Sequence, residues 1–258
     1  MSAAADFKIW QGVYASFAEA PAVGPGFDGP TWRERSMRAA REAVTKLAAG
    51  ETLDYSLRQR NAIMPAVVAM LLSRQAGVSI LDFGGGLGTA FTVLASALGK
   101  NIARVDYQVV EVEGICRAGR ELFAGGKGPR FAPELPSGGT FDVVHAASAM
   151  QYIEDWRSIV RKLTGYGAPY LVLGDLLIGN FSSYVTLQNY YDSRIRSWFI
   201  NAEEFIDEVE RQGYELALRS ECDTRILGTD GPLPMDNFPP HLRVERTVHL
   251  LFARSGRS

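Results

Sequence analysis

The stretch SILDFGGGLGTAF, residues 79–91, sets the reading of the whole chain. Its first half is apolar and β-prone. Its second half is nearly bare of side chains, with glycine at 84, 85, 86 and 88, and Asp82 stands just ahead of them. Glycine loses more backbone freedom on folding than any other residue, so such a cluster asks for a cause. Tight turning and the close approach of another group are the two causes on offer. The next residues, TAFTVLASALG, read as a helix closed by Gly99. A strand, a glycine turn and a helix in that order describe a ligand loop at the carboxyl end of a parallel strand. The unpaired N–H groups that open the helix suit an anionic group such as a carboxylate.

The flanking sequence supplies the rest of the sheet. YQVVEV, FDVVHAA and YLVLGDLL are short apolar runs rich in β-branched residues, with helix candidates between them. That alternation predicts an α/β fold with a parallel sheet covered on both faces. NAEEFIDEVERQG adds a helix, with Asn201 as N-cap and Gly213 past its end, and YELALRS and TVHLLFAR read as two closing strands. Upstream, SLRQRNAIMPAVVAMLLSRQAG is helical, either kinked at Pro65 or starting there. TWRERSMRAAREAVTKLAAG is a further helix, with Thr31 and Glu34 spaced as a capping box and Gly50 after its C-cap. Phe7, Trp10, Tyr14 and Phe17 also stand at helix-like spacing. The expected division is residues 1–75 as an N-terminal helical extension capping the core, and residues 76–258 as the main domain.

Composition narrows the function. With 258 residues, 47% hydrophobic and 22% charged, the chain is that of an ordinary globular protein. A net charge of −2 makes no case for nucleic acid or an anionic membrane. Cys116 and Cys222 are too few for a disulfide framework or a zinc site, and no metal-ligand cluster stands out. There is no secretion signal, and the longest apolar run, Ala62–Leu72, is too short to insert in a membrane. A cytoplasmic location is the default expectation.

The dehydrogenase fingerprint is G-x-G-x-x-G, and here its last glycine would fall on Thr89. The spacing is instead D-x-G-x-G-x-G, through Asp82, Gly84, Gly86 and Gly88. This resembles the first motif of class I S-adenosylmethionine-dependent methyltransferases, and FDVVHAASAMQYIED resembles their fourth-strand segment. WQGVYASFAEA, LDFGGGLGT, VVE, SAMQYIED and SWFINAEEF together are similar to a small bacterial family of methyltransferases often encoded among surface-polysaccharide genes. The resemblance implies a Rossmann-like, seven-stranded, mostly parallel sheet with an antiparallel last strand. It implies S-adenosylmethionine as cofactor and S-adenosylhomocysteine as product. It places Asp82, Phe83, Gly84, Gly85, Gly86 and Gly88 in the cofactor loop and Glu111, beside Val112, on the ribose. Glu113 competes with Glu111 for that role. Ser148 and Gln151, after the fourth strand, and Val112 are expected to bind the cofactor with the loop.

Two positions depart from the family's pattern. The acid that often contacts adenine after the third strand is replaced by Phe131 or Ala132, with Glu134 late. Gln151 stands where many relatives have histidine, and an amide is no base. The expected acceptor is a small molecule or carbohydrate, such as a hydroxyl of a surface-polysaccharide sugar. NFSSYVTLQNYYDSRIRSWFINAEEF and LGTDGPLPMDNFPPHLRVER, with WQGVY, are expected to close over it. Tyr190, Tyr191 and Arg194 are the candidate contacts, and His241 the candidate base. Asp175 reads equally as catalytic or as a loop cap. His145 and His249 read as structural. A catalytically silent adenosylmethionine-binding protein, and an NAD-dependent oxidoreductase or epimerase, are the alternatives.

Overall fold

A computed structural model describes residues 7–226 and 229–256. In chain order its strands are β1 (Trp10–Tyr14), β2 (Val78–Phe83), β3 (Val105–Val110), β4 (Arg130–Ala132), β5 (Val143–Ala147), β6 (Tyr170–Leu176), β7 (Ile178–Gly179), β8 (Tyr184–Tyr190), β9 (Ser193–Asn201), β10 (Tyr214–Cys222), β11 (Thr224–Ile226), β12 (Thr229–Gly231) and β13 (Thr247–Arg254). The helices are α1 (Pro30–Ala48), α2 (Tyr55–Arg60), α3 (Ile63–Leu72), α4 (Thr89–Leu98), α5 (Glu113–Leu122), α6 (Trp156–Thr164) and α7 (Ala202–Glu210).

Seven strands form the main sheet in the order β10-β13-β6-β5-β2-β3-β4. β2, β3, β4, β5 and β6 run parallel, and β13 is antiparallel to both β6 and β10. This is the Rossmann-like methyltransferase fold that the sequence predicts. Side chains alternate between the two faces of each strand. Leu81, Val144, Leu171 and Leu173 therefore enter one core, which holds Trp156, Phe205 and Phe252. Ile80, Tyr107, Val109, Val143 and Val172 enter the other, against Met64, Phe91 and Leu94. Each such buried Leu, Val or Phe contributes roughly 1.5–3 kcal/mol of transfer free energy.

The caps confirm several local signals. Asn201 accepts from the Glu204 N–H at 2.9 Å and starts α7. Gly99 and Gly50 take left-handed φ values of +53° and +70° just past helices. Pro65 sits in the first turn of α3, so that helix starts there rather than kinks. Asp142 accepts from the Ser79 N–H and hydroxyl at 2.7 and 2.8 Å, tying the start of β5 to that of β2.

Two expectations fail. Trp10–Tyr14 is a strand, not a helix, and pairs antiparallel with β8. Its partner lies far along the chain, and edge pairing overrides the spacing of its aromatics. The helix after it begins at Pro30 with Gly29 as N-cap, so Thr31 and Glu34 lie inside it and form no capping box. Proline at the first helical position needs no N–H partner, which moves the start by two residues. The sequence also does not show the second sheet, β1-β8-β9-β7. β8 and β9 form a hairpin through Tyr191 and Asp192. This small sheet stands beyond the carboxyl ends of β5 and β6.

Candidate active site

One cavity of about 1190 Å³ lies between the glycine loop and the small sheet. Its floor is Asp82–Gly86, the start of α4 at Thr89 and Ala90, and the ends of β3, β5 and β6. Its far wall is made by β1, α1 and β8.

The glycines differ in why they are glycines. A Cβ on Gly84 would stand 2.6 Å from the Ala149 Cβ, and one on Gly85 would stand 2.1 Å from Asp82 Oδ2. On Gly88 it would press on Phe123 and Pro129 at 3.1 Å. Gly86 alone of the four, at φ +56°, meets nothing within 4 Å and opens on the cavity. No side chain caps α4, whose first two residues line the same space. That end is a ready acceptor of an anionic group.

Around the loop the carboxylates are engaged. Asp82 is fully buried. Tyr107 Oη donates to its Oδ2 at 2.8 Å, and His145 Nδ1 lies 2.7 Å from its Oδ1. Burial, with the Asp82 charge beside it, pushes the Tyr107 hydroxyl well above its ordinary pKa, so it stays a donor. Glu111 accepts from the Gly86 N–H at 3.2 Å and the Val112 N–H at 3.0 Å. Burial raises its carboxyl pKa, and those two N–H bonds only partly offset this. Val112 beside it is exposed and lines the cavity.

At the ends of β5 and β6, Ser148 and Asp175 adopt left-handed φ values of +54° and +53°. For residues with a Cβ this costs about 1–2 kcal/mol each, and such strain gathers at functional sites. The Ser148 hydroxyl donates to the Asp175 carboxylate, and Arg60 Nε pairs with it at 3.2 Å. Burial raises the Asp175 pKa, but Arg60, Ser148, Thr247 and His249 outweigh it and hold the group below the ordinary carboxylate value. The Asp175 N–H donates to His249 Nδ1 at 3.0 Å.

Of the residues singled out in the sequence, the cavity wall includes Asp82, Phe83, Gly84, Gly85, Gly86, Glu111, Val112, Ser148, Gln151, Asp175, Tyr190 and Tyr191. Gly88 supports the loop from outside the wall. The structure does not bring Arg194 or His241 to the cavity. Arg194 is exposed and bonds through its backbone to Val23. His241 is exposed in a short 3-10 turn. Its loop instead sends Leu233 to the wall, because the apolar residues of that loop are drawn into the core around Phe199 and Phe238. Residues 227 and 228 of that loop lie outside the described part. Glu134, two residues past β4, is exposed and is not part of the wall either. Sequence reasoning missed Arg60 and Asn61, at the end of α2, and Phe27 and Trp32, around the start of α1. The Arg-Asn step at a break between two helical runs was the available signal for the first pair.

Among the described residues no group of three or more His, Cys, Asp or Glu is placed to hold a metal, and no helix is long and apolar enough to cross a membrane. A family model described as a methyltransferase domain matches residues 55–218. No curated protein matches the chain. Among solved structures, an S-adenosylmethionine-dependent methyltransferase from Methanosarcina mazei is similar at 14% identity, with 72% of this chain and 97% of that chain covered and a TM-score of 0.54. The 1,6-didemethyltoxoflavin-N1-methyltransferase of Burkholderia thailandensis, crystallised with 1,6-didemethyltoxoflavin and S-adenosylhomocysteine, is similar at 12% identity. There 90% of this chain and 93% of that chain are covered, with a TM-score of 0.53. These likenesses concern the fold, whereas the family match spans well over half of the chain: it belongs to the methyltransferase-domain family.

Proposed function

We infer that the chain transfers a methyl group from S-adenosylmethionine to a hydroxyl of a small molecule. The observation that carries this reading is the open side of Gly86. Its absent side chain borders only the cavity that Glu111 and the uncapped start of α4 also face. The residues fit the cofactor. The loop and the α4 N-terminus receive its carboxylate end, with the guanidinium of Arg60 nearby. Glu111 accepts from ribose hydroxyls, and Val112 offers an apolar surface to the base. When bound, S-adenosylmethionine supplies a methyl group already activated as a sulfonium.

What remains for the protein is alignment and exclusion of water, which supply up to about 7–11 kcal/mol in well-oriented cases. Gln151, Ser148 and Asp175 stand where the acceptor meets the cofactor loop. Asp175, held ionised by Arg60, takes or orients the acceptor proton. Its depressed pKa makes it a weak base, which suits a hydroxyl of low pKa. A phenolic ring hydroxyl meets that description, whereas a sugar hydroxyl is much less acidic and asks for a stronger base.

Calorimetry with adenosylmethionine, adenosylhomocysteine and NAD tests the cofactor. Adenosylhomocysteine should bind and NAD should not. Glu111→Ala should weaken binding by about 1.5–3 kcal/mol, the range for hydrogen bonds to a charged group. Unchanged affinity in that variant, or preference for NAD, would sink the reading. Transfer of a labelled methyl group from adenosylmethionine to a cell extract separates an active enzyme from a silent binder.

A further inference from the structure

Resting on the methyltransferase reading, we propose that the acceptor is a flat, mostly apolar ring carrying a hydroxyl, and not a sugar. The cavity exceeds the roughly 300–1,000 Å³ usual for one ligand, so it has room for cofactor and acceptor together. The half away from the glycine loop is built on Phe27. Its ring meets Trp32, Tyr152 and Tyr190 edge-on, at centroid distances of 5.4, 4.8 and 5.8 Å. Aromatic walls of this kind favour an apolar ring face.

Several polar groups of that half are engaged, and the Arg35 guanidinium lies over the Tyr191 ring at 4.7 Å. Tyr152 Oη donates to Gln188 Oε1 at 2.9 Å. Asn189 Nδ2 donates to the Lys8 carbonyl and to Gln11 Oε1 at 2.7 and 3.0 Å. The Tyr190 ring packs on that of Tyr191 at a centroid distance of 4.7 Å. Two buried polar atoms of wall residues have no partner, Trp10 Nε1 and Gln151 Oε1. The Gln151 amide is oriented by chemistry. Its nitrogen donates to the Asp175 carbonyl at 3.4 Å, and a carbonyl cannot donate, so the oxygen is the end left over.

Unpaired buried groups are costly, and each asks for a partner. One donor and one acceptor match a hydroxyl on one side of a ring and an oxygen elsewhere on it. A hexose brings several hydroxyls, and those turned to Phe27, Trp32, Tyr152 and Tyr190 would stay unpaired.

Calorimetry on the full chain saturated with adenosylhomocysteine tests the proposal. The probes are 7-hydroxycoumarin, which has one hydroxyl and one ring carbonyl, and methyl α-glucopyranoside. The coumarin should bind at least about tenfold more tightly than the sugar. Trp10→Phe, which keeps the ring and removes the N–H, should weaken coumarin binding about tenfold. Tyr190→Ala should weaken it as well, which guards against a Trp10 variant that fails to fold. In both variants adenosylhomocysteine affinity should hold within about twofold. Equal or tighter binding of the sugar, no binding of the coumarin, or indifference to both substitutions would overturn the proposal. Failure of adenosylhomocysteine itself to bind would overturn the methyltransferase reading on which it rests.

Discussion

Gly85 and Gly86 are neighbours that lack side chains for opposite reasons. Beneath Gly85 lies the Asp82 carboxylate, pinned by Tyr107 and His145, so an added Cβ has nowhere to go. Gly85→Ala is expected to cost about 3 kcal/mol in urea unfolding, the upper range for overpacking. At Gly86 the space is open and only φ +56° resists, so Gly86→Ala should cost about 1–2 kcal/mol while weakening adenosylhomocysteine by more than about tenfold. Equal losses of stability in the two variants would contradict this division. The sequence showed the cluster but could not divide it, because Ala149, Asp82 and Phe123 meet the loop only in three dimensions. His249 carries a pH dependence. Burial, first, lowers its pKa from the usual 6.5, with the Asp175 charge opposing. Below that value the unfolded chain binds a proton that the folded chain refuses, so stability falls as pH falls. Thermal unfolding should therefore shift downward between pH 7 and pH 5, and His249→Gln should flatten part of that slope.

The central strands β2, β3, β5 and β6 were legible because each is an apolar run bounded by breakers, whereas the three-residue β4 is not such a run. The helix ends at Gly50, Gly99 and Asn201 were legible because caps are local chemistry. The hairpin of β8 and β9 was not. Its turn, Tyr191-Asp192, lacks glycine and asparagine, although Tyr191 takes φ +55° there. β1 was misread because its partner strand begins at Tyr184. In FDVVHAA, Asp142 binds Ser79 and joins the starts of β5 and β2, a tie between distant segments that spacing does not show. Of the candidate site, the glycine loop and its acid could be read from spacing. His241 could not be weighed, since a loop residue's direction depends on which neighbours the core takes. The segment after β1 is anchored on the small sheet: Phe17 clusters with Val185 and Leu187 and packs on Trp198 at 5.5 Å. Phe17→Ala should cost about 3 kcal/mol in urea unfolding. A loss below about 0.5 kcal/mol would mean that the anchor is not formed in solution.

Across the molecule, one cavity is walled by residues from Phe7 to Thr247, so a ligand there meets segments that are far apart in the chain. Ligand that binds only the folded state stabilises it by about 2.7 kcal/mol at a hundred times Kd. For a chain of this size adenosylhomocysteine at that level should raise Tm by about 5–10 °C, and NAD should leave it unchanged. The order of the main sheet has a bearing on synthesis. β13, made last, lies between β6 and β10, and β10 pairs with nothing else in that sheet. A nascent chain that has emerged only as far as β12 already holds β6, with Leu171, Leu173 and Leu176, but one lane beside it is empty. An apolar strand with an unpaired edge is a template for the wrong partner. Until β13 has been made, that open lane is where the growing chain most needs a chaperone.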